Sequence, residues 1–264
     1  MDTSRLKKLA NEIRQKSEMA KSMKTARLRQ LHMLPSMPEV KGYEFKSIYM
    51  PCANVSGDFY DFIRVSEHEI GIAMGDVSGH GVEAGIIMGM AKKALQIYAK
   101  GLSSPKDALA LTNIDLGHDL DGETFVSAAY GILDTERRIF KFARAGNNPP
   151  YLVNPKRSQQ ITEIKPNGMV IGVDKVGKHF STVTREEAIQ LQSGDLVFQY
   201  TDGLVEASNH EKNDFGSERV KQLLLNNCAI PAAELIELMV ESVLGHIGTC
   251  EQCDDITMIA LRVL

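Results

Sequence analysis

The 264 residues carry a formal charge of -4, 43% apolar side chains and a pI near 6.0, a size that fits one generous domain or one domain with an appendage. The missing basic surplus argues against a nucleic-acid binder, because phosphates would find no cationic surface to neutralise them. Recurring apolar segments exclude disorder along the whole chain, and no run approaches the roughly 18–20 apolar residues of a membrane span.

The opening MDTSRLKKLANEIRQK is charged and lacks the apolar stretch of a secretory signal. Cys52, Cys228, Cys250 and Cys253 are too few for a disulfide framework in a chain this long. A soluble protein of the reducing cytoplasm is therefore expected.

Residues 1–33 are rich in Lys, Arg, Ala, Met, Gln and Leu and contain no Gly or Pro, which predicts a helix. Leu6, Leu9, Ile13, Ala20 and Met23 follow a 3-4 heptad spacing, while Lys16 and Arg27 interrupt the seam. Two readings stay open: a helix packed on its own domain, or a coiled-coil or linker helix that supports a homodimer or joins an upstream sensor or activator. Leu34-Pro35-Ser36-Met37-Pro38 ends the helix, since proline lacks the amide donor. Residues 34–264 read as the main domain.

There, Tyr43–Met50 and Glu69–Met74 read as strands, the second ending at a Gly75-Asp76 corner. A helix is predicted from Val82 to Tyr98, with Ile87, Met90, Ala91, Ala94 and Tyr98 on one face. The next starts at Ser104-Pro105, a capping residue followed by proline at the first helical position, and runs to Leu116. Strands at Thr124–Leu133 and Arg138–Ala145 follow, then four short strand candidates between Tyr151 and Gln192. Asp195–Thr201 is a strand, Ser217–Leu225 and Pro231–His246 are helices, and Ile256–Val263 is a closing strand. Strand pairs joined by short turns, mixed with helices, predict antiparallel sheets packed against helices.

Carboxylates cluster at the strand ends. Asp58 lies in Val55-Ser56-Gly57-Asp58-Phe59-Tyr60-Asp61, Asp76 opens Gly75-Asp76-Val77-Ser78-Gly79-His80-Gly81, Asp202 opens Asp202-Gly203, and Asp254 and Asp255 stand before the last strand. Three of these four places have glycine beside the acid, which lets another group approach closely. Acids far apart in sequence at strand ends suit a hard cation with oxygen ligands. A lone Asp-Gly after a strand is ordinarily a turn, and spacing alone leaves open whether the corners converge.

These segments, with Phe125-Val126-Ser127-Ala128-Ala129-Tyr130-Gly131, Ala145-Gly146-Asn147-Asn148-Pro149-Pro150, Tyr200-Thr201-Asp202-Gly203-Leu204-Val205-Glu206-Ala207 and Cys253-Asp254-Asp255-Ile256-Thr257, occur in one order. Together they resemble the PPM-type metal-dependent serine/threonine phosphatases, in their bacterial SpoIIE/RsbU-like branch, over roughly residues 26–264. The resemblance implies an α+β fold, a four-layer αββα sandwich of two antiparallel sheets flanked by helices, here with an N-terminal helical extension. It implies a binuclear site of two divalent cations, Mn²⁺ or Mg²⁺, held by Asp58, Asp76, Asp202, Asp254 and the backbone carbonyl of Val77. Asp76 is the implied bridging ligand, and Asp255 ranks below its neighbour because the family motif uses the first acid of the pair. Two cations about 3.5–4 Å apart would activate a water for in-line attack on a phosphoryl group. The chain lacks the Cys-x5-Arg spacing of cysteine phosphatases.

The sequence departs from the eukaryotic relatives at His80, which stands four residues after Asp76 rather than two. A loop role beside the site therefore suits it better than that of general acid. No counterpart of their phosphate-gripping arginine is assigned. His246, Cys250 and Cys253 have a zinc-like spacing but only one such pair, so reduced thiols are the simpler reading. Asn147-Asn148-Pro149-Pro150 reads as a hairpin turn at the edge of the site, and Phe215-Gly216 as packing that leads into the next helix.

Two functions fit. One is a phosphatase acting on phosphoserine or phosphothreonine of a phosphorylated anti-anti-sigma-factor-like regulator in a partner-switching stress pathway. The other is a catalytically silent module of the same fold that sequesters a regulatory partner. A nucleotide cyclase, suggested by Ser-Gly-Asp-Phe, fails because the remaining acids and the last strand follow the phosphatase pattern.

Overall fold

The computed structural model describes residues 3–154, 156 and 160–264; the side chains of residues 3–7 and 10 lie outside that description. The expected αββα layering is present. One sheet has the order β1-β10-β9-β6-β7, built from β1 (Tyr43–Met50), β10 (Ile256–Val263), β9 (Leu196–Tyr200), β6 (Tyr151–Val153) and β7 (Thr162–Glu163). The other has the order β2-β3-β4-β5-β8, built from β2 (Phe59–Arg64), β3 (Glu69–Val77), β4 (Val126–Asp134), β5 (Ile139–Ala145) and β8 (Glu186–Gln190). Every pairing between these strands is antiparallel.

Alternation along the strands divides the core into three layers. Ile72, Met74, Ala129, Leu133, Phe140, Phe142, Val197, Ile259 and Leu261 meet between the sheets. Their strand neighbours point outward: Ala73, Tyr130 and Ala143 pack under α2 (Val82–Ala99) and α3 (Pro105–Gly117). On the opposite side Phe198, Met258 and Ala260 pack under α6 (Ser217–Asn227) and α7 (Ala232–Ile247). Covered on both faces, β10 is buried at every position, which explains its nearly unbroken apolar sequence.

Local chemistry sets several boundaries. Ser104 caps α3 by accepting from the Asp107 amide at 3.2 Å, with Pro105 at the first helical position. On α2, Lys92 and Asp61 of β2 form a buried ion pair at 2.8 Å. Lys92 also donates to the Tyr60 carbonyl at 2.8 Å, and Gln96 to Asp61 at 2.6 Å.

The structure differs from the sequence reading in four places. Residues 59–64, read only as part of a motif, form β2. β3 continues through Asp76 and Val77 because they pair with Ser127 and Val126, so Asp76 lies inside a strand rather than at its end. Between Tyr151 and Gln192 the described residues form three strands and a short helix, α4 (Lys178–Val183), rather than four strands. Asp202-Gly203 is not a turn but the start of a one-turn helix, α5 (Asp202–Val205).

The N-terminal segment is a helix, α1 (Thr3–Leu31). Of its proposed seam, Leu9 and Ile13 are more than half exposed, and Leu6 lies outside the described side chains. Gln30, by contrast, is buried.

Candidate metal centre

At one end of the sandwich the layer between the sheets turns from apolar to polar. On β3 the inward row runs from Ile72 and Met74 to Asp76, and on β4 Ser127 follows Ala129. On β9 the row runs from Val197 to Gln199 and then Thr201, and on β10 Thr257 precedes Ile259.

Asp58, just before β2, is buried in this polar end, with Oδ2 accepting from Thr201 Oγ1 at 2.8 Å and from Thr257 Oγ1. Hydroxyls of one sheet thus hold a carboxylate of the other. Thr201 Oγ1 also accepts from the Thr257 amide at 3.0 Å, which ties the ends of β9 and β10 together.

Two glycines allow the acid-bearing loops to approach. A Cβ on Gly203 would lie 2.0 Å from the Asp255 carbonyl oxygen, so α5 reaches the backbone of Asp254 and Asp255 only without a side chain there. A Cβ on Gly57 would lie 3.0 Å from the Val77 carbonyl oxygen, which places that carbonyl beside the loop of Asp58.

Asp255 has a different role from Asp254. It is buried, and its carboxylate accepts from the Cys52 amide at 2.7 Å, Ser56 Oγ at 2.6 Å and the Gly57 amide at 3.0 Å. It clamps the loop of Asp58 onto β10. Asp254 is exposed and accepts from the Asp255 amide at 2.7 Å. Cys52, Asp254 and Asp255 present ligand atoms within 4.8 Å of one another. Burial, then the Asp255 charge, pushes the Cys52 thiol up to about 12.

The acids raise one another's proton affinity. Burial and then Asp76 push Asp58 well above the usual carboxylate range. Burial pushes Asp76 up to about 8, with the charges of Asp202, Asp254, Asp255 and Glu206 adding to it. Asp254 is also raised, by desolvation and by the charges of Asp202 and Asp255, while the hydrogen bond from the Asp255 amide and, less, His80 offset part of this. Asp58, Asp76, Asp202 and Asp254 therefore lie within electrostatic reach of this acidic end, and of the four only Asp254 belongs to a group of ligand atoms within 4.8 Å of one another among the described residues. A hard divalent cation fits such a donor set, because its charge would replace the repulsion with attraction.

His80 is exposed in a turn between Gly79 and Gly81, whose φ values are 92° and 84°. His246 contacts Arg219 and the Asn213 carbonyl, each at 2.8 Å, and forms no metal cluster with Cys250 and Cys253 among the described residues. Phe215 is buried and leads into α6 as expected.

Sequence reasoning missed the supports of the acids: Thr201, Thr257, Ser56 and Gln30. Strand alternation was the available signal for Thr257, which shares its face with Ile259 and Leu261. Glu206 was quoted in a motif without a role; burial and the charges of Asp202 and Asp254 raise its pKa.

Among known proteins, the chain is 27% identical over 262 residues to Protein IcfG of Synechocystis sp., covering 88% of this chain and 40% of that one. It is 25% identical over 259 residues to phosphoserine phosphatase RsbU of Bacillus subtilis, covering 97% and 72%. It thus spans less than half the length of IcfG. Of solved structures, the SiaA-PP2C domain of Pseudomonas aeruginosa superposes with a TM-score of 0.81 at 25% identity, covering 94% of this chain and 98% of that one. RsbX in complex with magnesium has the same fold, with a TM-score of 0.64 at 15% identity, covering 87% and 99%. The family model of stage II sporulation protein E (SpoIIE) matches residues 66–264, a span that includes Asp76, Asp202 and Asp254, and the chain belongs to that family.

Proposed function

We propose that the chain is a metal-dependent phosphatase that hydrolyses phosphoserine or phosphothreonine on a regulatory protein of a cytoplasmic partner-switching pathway. Asp58, Asp76, Asp202, Asp254 and the Val77 carbonyl would hold two divalent cations, Mn²⁺ or Mg²⁺. The observation that carries this reading is the convergence of acids from separate places in the chain. Asp58, Asp76 and Asp254 are each raised by burial and neighbouring acids, and Asp202 is among the charges that act on Asp76 and Asp254. The names of RsbU, a phosphoserine phosphatase, and of RsbX with magnesium support it.

Cations held there would supply a water acidified toward neutral pH and would neutralise charge on the phosphoryl oxygens. The chain's own residues give the site its shape. Thr201 and Thr257 orient Asp58, and Asp255 holds the loop that carries it. Asp254, on the exposed rim, is the acid nearest to solvent in this set.

Residues 34–264 form the catalytic domain in this proposal, and residues 1–33 the helix through which an upstream partner or a second copy acts. Exposed Leu9 and Ile13 support the helix as a contact surface. The bonds from Gln30 to Ser56 support its link to the site.

The test is hydrolysis of para-nitrophenyl phosphate and of a phosphoserine protein with Mn²⁺, with Mg²⁺ and with chelator. Turnover should require metal and disappear in folded Asp76→Asn and Asp202→Asn proteins. A folded wild type without turnover under any metal would point instead to a partner-sequestering module.

A further inference from the structure

We propose that Asn147 is a positioning residue that fixes the distance between the two sheets at the metal centre. The inference rests on the metal reading above.

Asn147 follows β5 in a segment that reads as a plain hairpin turn. Side chains of such turns face water, but Asn147 is only 3% exposed. Its amide spans the gap between the sheets. Nδ2 donates to Ser127 Oγ at 3.0 Å, and Oδ1 accepts from Gln199 Nε2 at 3.0 Å. The orientation of the amide follows from its partners: Gln199 Nε2 also donates to the Asn148 carbonyl at 2.8 Å, so Gln199 offers N–H groups here and Asn147 must face it with oxygen.

Both ends of the bridge adjoin an acid of the cluster. Ser127 is the register partner of Asp76 and lies on the same sheet face. Gln199 shares its face of β9 with Thr201, which holds Asp58, and stands three residues before Asp202. The bridge therefore joins β4, the strand paired with that of the implied bridging ligand, to the strand that leads into another ligand. An amide offers a donor and an acceptor side by side at this length. A carboxylate lacks the donor, and an aliphatic side chain lacks both.

The backbone around Asn147 is anchored as well. Arg144 donates to the Asn147 carbonyl and to the Pro166 carbonyl, each at 2.9 Å. Gly146 takes a φ of 85°, the left-handed turn that aims Asn147 inward. Gln199 is held with its amide nitrogen toward Asn147 and Asn148 although its Oε1 has no partner among the described residues. A buried acceptor left alone is unfavourable. That orientation is better explained by positioning than by packing alone.

The experiment is calorimetric titration of the full chain with Mn²⁺, and of the wild type with Mg²⁺ as well, beside thermal unfolding of the metal-free protein. The proteins are wild type, Asn147→Leu, Ser127→Ala, Gln199→Met and the double variant Ser127→Ala/Asn147→Leu. Each single variant should weaken Mn²⁺ affinity by about 10–100-fold, as loss of a group supporting metal ligands does. The double should bind no more weakly than Asn147→Leu, because the bridge is already broken. Ser127→Ala removes one hydroxyl and keeps the test open if a larger change fails to fold. Folded variants with lower melting temperatures but wild-type Mn²⁺ affinity would overturn the proposal, and so would an additive double. A wild type that binds neither Mn²⁺ nor Mg²⁺ would overturn the metal reading itself, and the bridge's role with it.

Discussion

Gln30 pairs with the backbone of Ser56 through both ends of its amide: Nε2 donates to the carbonyl at 2.8 Å, and Oε1 accepts from the amide at 3.0 Å. It is the buried side chain of a helix whose other described side chains are exposed, apart from half-buried Met23. Ser56 in turn donates to Asp255 and accepts from the Asp58 amide at 3.0 Å. The N-terminal helix is thus joined to the loop of Asp58 by a polar hook rather than by an apolar stripe. Gln30→Leu should leave two buried backbone groups unpaired and cost about 1–3 kcal/mol, read by urea unfolding of the metal-free protein. An unchanged midpoint would show that the hook contributes nothing to the joint.

Thr257→Val keeps the shape of the side chain and removes a hydroxyl that Asp58 accepts from. Asp58 is buried, so water cannot replace the lost donor. Cation affinity should fall about tenfold or more while the fold remains, because the backbone pairing of β10 does not involve the hydroxyl. Wild-type affinity by calorimetry would count against Asp58 as a ligand oriented by this contact.

The pH dependence of the metal-free protein follows from Asp76, raised from 3.8 to about 8 by burial and neighbouring acids. Between these values the folded state holds a proton that the unfolded chain has released, so stability falls as pH rises through the window. Asp58, also raised, acts in the same direction. The melting temperature of the metal-free protein should drop from pH 5 toward pH 8, a window of about three units. Mn²⁺ or Mg²⁺ should stabilise the protein more at the upper end, since binding displaces protons. A melting temperature that climbs over this range without metal would contradict the clustering of these acids.

Lys92→Met should destabilise by about 3–5 kcal/mol, because it strands the buried Asp61 carboxylate. Gln96 and the Phe62 amide still donate to Asp61, at 2.6 Å and 2.9 Å, which places the expected value at the lower end. The double variant Asp61→Asn/Lys92→Met should recover part of the loss, since no charge remains buried. Chemical unfolding of the three proteins gives the comparison, and a double less stable than Lys92→Met would refute the ion-pair account.

Much of the architecture is legible in order along the chain. β1 and β10 match their predicted limits, and α2 and α3 differ from theirs by one residue at the C-terminal end. Periodicity, a Ser-Pro cap and apolar strands carry that information locally. The extent of β3 is not local. Asp76 and Val77 continue the strand because Ser127 and Val126 pair with them, about fifty residues away in sequence.

The acids themselves stand out in the sequence because carboxylates beside glycines at strand ends are a chemical pattern. Their division of labour does not. Asp254 and Asp255 are adjacent and identical in type, yet the twist of the chain before β10 leaves one exposed and buries the other against three donors. Asn147 likewise reads as a turn residue until β4 and β9 lie on either side of it. Residue type and periodicity, both local properties, determined most helices and strands and marked the acid corners. The order of the motifs, through its resemblance to the phosphatases, pointed to the family, the sandwich and the candidate ligands. Which side chains support those ligands was decided only by tertiary structure, because a hydrogen bond depends on the distance and direction between strands remote in sequence.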